Sequence, residues 1–130
     1  MKRTILSIVA ITVFAAFASA QDDAAYTAAM KTVNPSLRAI GTAITAKDNA
    51  AVATEAKKLS EAFTTINAYW KAKKADDAIG FSQTALDAAG KLASAGDADA
   101  QTAAVTALRG TCNGCHSAHR GGTPPAFQIK

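Results

Sequence analysis

The chain has 130 residues, 49% hydrophobic and 18% charged, with a formal net charge of +4 and a pI near 9.2. That length supports one hydrophobic core and is too short for two. Much of the positive charge sits at the start: Lys2 and Arg3, the apolar stretch Thr4 to Phe17 and the small residues Ala18-Ser19-Ala20 form the pattern of a cleaved secretory signal peptide over residues 1–20. Without Lys2 and Arg3, twelve basic residues face ten acids, and a net +2 argues against a nucleic-acid binder. The apolar stretch is too short to span a bilayer, and no later one approaches the ~20 apolar residues that a spanning helix needs. The expectation is a periplasmic protein whose domain occupies residues 21–120, followed by a tail over 121–130.

About a quarter of the residues are alanine, the strongest intrinsic helix former, and no segment alternates apolar and polar residues as a half-buried strand does. In chain order, Tyr26, Met30, Val33, Leu37, Ile40 and Ile44 recur every three or four residues and define one face of a first helix. Pro35 lies inside it, which predicts either a kink or a fresh start at that residue. Lys47-Asp48-Asn49 supplies a turn and an N-cap before a second helix carrying Val52, Ala56, Leu59, Phe63, Ile66 and Trp70 on one face. A third, capped by Asp76, carries a weaker stripe of Ile79, Phe81, Leu86, Ala89 and Leu92. Ser94-Ala95-Gly96-Asp97 separates it from a fourth, with Gln101, Val105, Leu108, Cys112, Cys115 and His119 in line. Gly121-Gly122-Thr123-Pro124-Pro125 ends that helix and predicts a short extended tail. Four such segments joined by short turns predict an all-α, antiparallel up-and-down four-helix bundle.

The chemistry lies near the end of the fourth helix. Cys112-Asn113-Gly114-Cys115-His116 is the C-x-x-C-H pattern of covalent c-type haem attachment. Two thiols three residues apart on a helix can each add to a haem vinyl group, and the next imidazole then faces the iron. Gly110 and Gly114 are expected to leave the backbone free of bulk where a flat macrocycle approaches. Three other chemistries use the same residues. A Cys112–Cys115 disulfide suits an oxidising compartment but closes too small a loop to stabilise much. A thioredoxin-like dithiol stands at a helix start after a strand, whereas this pair is near a helix end. Zinc would take Cys112, Cys115, His116 and His119, yet four ligands within one short helical stretch fan around the axis.

The run Cys112-x-x-Cys115-His116-x-x-x-Arg120, closing the last helix of an exported four-helix bundle, resembles the class II c-type cytochromes, the cytochrome c-prime family and its low-spin relatives. The resemblance covers residues 21–120. It implies one haem c, thioether attachment through Cys112 and Cys115, His116 as the proximal iron ligand, and Arg120 as the basic residue near the haem. Two positions depart from the family pattern: His119 stands where an aromatic residue is often found, and the family's arginine on the first helix is absent around Tyr26 and Thr27. In the low-spin branch a methionine of the first helix takes the distal position, which points to Met30, the one methionine outside the signal segment; the other reading of Met30 is core filling. His119, three residues from His116 on the same helix, cannot reach the opposite haem face.

No serine, histidine and carboxylate set, glycine-rich phosphate loop or pair of acids suggests hydrolysis or phosphoryl transfer. The expectation is therefore an electron-transfer protein rather than an enzyme, with redox proteins as partners and a homodimer of the kind common in the family. The alternative is a five-coordinate, high-spin haem that binds NO or CO. Lys57, Lys58, Lys71, Lys73 and Lys74 read as solvated helix surface before they read as a docking patch for an acidic partner. Trp70 and Phe63 read as core or haem-wall residues.

Overall fold

The computed structural model describes residues 9–124 and 126–130, with residues 9–21 described by their backbone alone. The signal-peptide reading of residues 1–20 therefore lies partly outside the described residues. Four helices follow in order: α1 (Val9–Thr45), α2 (Asn49–Lys73), α3 (Asp76–Ser94) and α4 (Ala98–His119). They pack side by side in sequence, α1 on α2, α2 on α3 and α3 on α4, while α4 returns only sparingly to α1. Among the described residues no helix is long and apolar enough to cross a membrane.

The stripe expected on α2 is buried in full: Val52, Ala56, Leu59, Phe63, Ile66 and Trp70 all belong to the core. On α1, Tyr26, Val33, Leu37 and Ile40 are buried, and Met30 and Ile44 pack partly buried against them. On α3 the expected Ala89 and Leu92 are buried, and the rest of the interior face is set by small residues. Ala78, Ser82, Ala85, Ala88, Ala89 and Leu92 are buried, whereas Ile79, Phe81 and Leu86 lie at its margins. Small side chains let α3 lie close to both neighbours.

The turns before α2 and α4 are pinned by polar side chains. The Asp48 and Asp97 side chains accept from the backbone N–H of Ala51 (2.9 Å) and Ala100 (2.8 Å), capping α2 and α4. Ala75, not Asp76, stands at the N-cap of α3, without a side-chain hydrogen bond; Asp76 and Asp77 fall in its first turn, where the helix dipole favours negative charge. Gln101, on the apolar face of α4 and fully enclosed, donates to Asn49 Oδ1 (2.9 Å) and to the Ala95 carbonyl (3.0 Å). The buried Asn67 of α2 donates to Ser82 Oγ of α3 (2.9 Å), so the polar groups in these contacts are satisfied.

Of the two alternatives at Pro35, the fresh start is overturned: α1 runs through the proline as one helix. The residue is exposed, and so is Lys31, whose carbonyl loses its partner; that carbonyl can turn to water, while Val33, Leu37 and Ile40 keep the helix packed on α2. The residues beyond α4 are also not a free extended tail. β1 (Arg120–Thr123) and β2 (Ala126–Ile129) pair antiparallel, with Arg120 opposite Ile129 and Thr123 opposite Ala126. Gly122 takes φ 77°, and a Cβ there would collide with the Ala126 carbonyl, so the hairpin requires glycine at this point.

Candidate functional site

Because α1 and α4 close on each other loosely, a cavity of about 480 Å³ remains between them. This is within the ~300–1,000 Å³ range of cofactor and ligand sites. The C-x-x-C-H motif and Met30, far apart in sequence, both border it: Cys112, Cys115 and His116 from α4, and Met30 from α1. Leu37, Phe63, Ile66, Phe81 and Ala85 are among the apolar residues of its wall. Among the described residues, Lys31 and Arg120 are the lysine and arginine on the lining, and no carboxylate joins them.

Cys112 is half-buried and Cys115 buried, and both are free thiols. Burial raises the Cys112 pKa; burial, the Asp77 carboxylate and Cys112 push Cys115 up to about 11. Both are therefore protonated at neutral pH, the opposite of the lowered thiolate pKa that a dithiol redox site needs. Burial first and the Arg120 charge second lower the His116 pKa, which keeps the imidazole neutral and able to ligate a metal. Among the described residues no three histidine, cysteine or acidic side chains gather as a metal-binding group, so the zinc set of Cys112, Cys115, His116 and His119 is not assembled.

His119 also borders the cavity, with its ring held by neighbours. Its Nε2 lies 2.8 Å from Asp77 Oδ2, and its ring packs 4.8 Å from that of Trp70. Trp70 continues into Tyr69 and Tyr26, whose ring centroids are 4.3 Å apart, so an aromatic cluster backs the end of α4. Of the two aromatics named from sequence, Phe63 borders the cavity and Trp70 is core behind it. The lysines of α2 stay on the surface: Lys58 pairs with Glu55, and Lys73 lies 3.9 Å from Asp23.

The glycine of the motif has a different neighbour from the one expected. Gly110 faces open space, but a Cβ on Gly114 would lie 2.6 Å from Phe81 Cε1. The Phe81 ring occupies the space that Gly114 vacates, and Phe81 is itself part of the cavity wall. Sequence reading also missed the hairpin's share of the lining, from Phe127, Gln128 and Ile129. The run Phe127-Gln128-Ile129-Lys130 does alternate apolar and polar residues, against the expectation that no segment would, and is the signal that could have found it.

No protein-family model, curated protein or solved structure matches this chain.

Proposed function

We propose that this protein is a periplasmic monohaem c-type cytochrome that carries single electrons, as its resemblance to the class II cytochromes suggests. The observation that carries the reading is one apolar cavity bordered by both ends of the expected ligand set, His116 on α4 and Met30 on α1. The donor set suits the group. The cavity offers two protonated thiols for thioether linkage, a neutral imidazole, a thioether sulfur from another helix, and apolar walls. Bound there, haem supplies an iron that cycles between ferric and ferrous.

In this reading Cys112 and Cys115 hold the group to α4, which fixes its register beside His116. The apolar side chains of α1, α2 and α3 keep water from the ligands and so limit the reorganisation that accompanies a change of charge. Arg120 places a positive charge at the margin, favourable for the acidic groups of the macrocycle. Met30 is the residue of α1 that would hold the iron, and a thioether ligand would raise its reduction potential.

The test is protein exported alongside a haem-attachment system, in wild-type form and as Met30→Ala. Intact mass reports the covalent group and cleavage after Ala20 together. The substitution is expected to turn a low-spin spectrum high-spin and to allow carbon monoxide to bind; an unchanged low-spin spectrum would remove Met30 from the iron.

A further inference from the structure

The C-terminal hairpin joins the cavity wall without joining the helical core. Phe127 and Ile129, two residues apart on β2, both border the cavity, yet they remain 46% and 44% exposed. Side chains that face a cavity and solvent at once sit at its mouth. Few contacts hold them there. The Arg120 guanidinium stacks 4.2 Å from the Phe127 ring centroid. The Lys130 backbone N–H donates to the His119 carbonyl (2.9 Å), and Lys130 Nζ donates to the Ser117 carbonyl (3.4 Å). The root of the hairpin is firmer: His119, directly before β1, is fixed by Asp77 and Trp70.

We propose that this hairpin is a lid on the cavity, with Phe127 and Ile129 as the plug and the Arg120 and Lys130 contacts as its latch. A two-stranded hairpin is marginal by itself in water. Its closed position therefore depends on these contacts, and it opens far more readily than the bundle unfolds. The lid restricts small polar solutes from Cys112, Cys115 and His116 while leaving the helices untouched. It rests on the haem reading only for the choice of probe in the loaded protein.

The test compares full-length wild type with the double variant Phe127→Ala and Ile129→Ala, a chain ending at Thr123, and Phe127→Leu. Intact mass first reports whether haem is attached, which decides the haem reading by itself. If the thiols are free, the probe is the rate of their alkylation by iodoacetamide. If they are linked to haem, it is the rate at which added imidazole changes the visible spectrum. Loss of the plug is expected to speed either reaction by roughly tenfold, the scale of one aromatic latch contact with its apolar surface. Phe127→Leu, which keeps an apolar plug, should stay close to wild type. Equal rates in wild type, the double variant and the shortened chain would overturn the lid. A shortened chain that loses its helical circular dichroism would overturn it too, because a lid does not support the bundle.

Discussion

Replacing Gly114 by alanine sets two effects of similar size against each other. Gly114 lies inside α4, where alanine is favoured over glycine by about 1 kcal/mol from helix propensity. The new methyl group would stand 2.6 Å from Phe81 Cε1 and 3.0 Å from Cζ, and overpacking of this kind costs about 1–3 kcal/mol. The expected net is a loss of about 0–2 kcal/mol, relieved if the ring swings into the cavity that it borders. Removing the ring isolates the terms. In a Phe81→Ala background, Gly114→Ala should stabilise the bundle by about 1 kcal/mol, leaving a coupling of about 1–3 kcal/mol between the two sites. Urea unfolding of the four forms, followed by helical circular dichroism, measures that cycle. If Gly114→Ala stabilises both backgrounds equally, the Phe81 contact is not what requires glycine within the motif.

Leu108→Ala, at a fully buried position on α4, should cost about 2–5 kcal/mol in the same urea assay; a loss under 1 kcal/mol would mean that the core collapses around the gap. Asp77 is held below its ordinary pKa of 3.8, first by the hydrogen bond to His119 and then by the Ala78 backbone N–H. Its contribution to stability is therefore complete above that value and fades as the pH falls through the lowered one. Asp77→Asn should remove that part of the acid dependence in melts between pH 5 and 2, values on the order of the carboxylate range; identical profiles for the two proteins would show that the contact does not hold in solution.

The helical frame was legible because apolar side chains recur at helical spacing over long stretches, most clearly from Val52 to Trp70, where every residue of the expected stripe is core. It was less legible where alanine does the packing. On α3 the buried face is built from Ala78, Ala85, Ala88 and Ala89, which give no contrast against an alanine-rich background, so the larger Ile79, Phe81 and Leu86 drew the stripe to the margin. Pro35 illustrates local preference yielding to tertiary packing: one exposed hydrogen bond is lost, and the buried residues on either side hold the helix.

At the candidate site, the motif residues and Met30 could be named from spacing and resemblance, and they do border one cavity. Three further elements depend on long-range geometry that spacing does not encode. Phe81 meets Gly114 across two helices, Asp77 reaches His119 over 42 positions, and the hairpin folds back over the end of α4. The glycine-rich start of the tail marks a break in the helix but does not say where the chain goes next.

Electron transfer through a bound haem is tested most directly by the optical spectrum, oxidised and reduced and with and without carbon monoxide, of protein exported with a haem-attachment system. A covalently bound, low-spin haem whose spectrum carbon monoxide leaves unmoved is the expected result, with His116 and Met30 on the two faces of the iron. A high-spin spectrum that shifts with the gas would replace electron transfer by gas binding, and an exported chain that carries no haem would contradict the account.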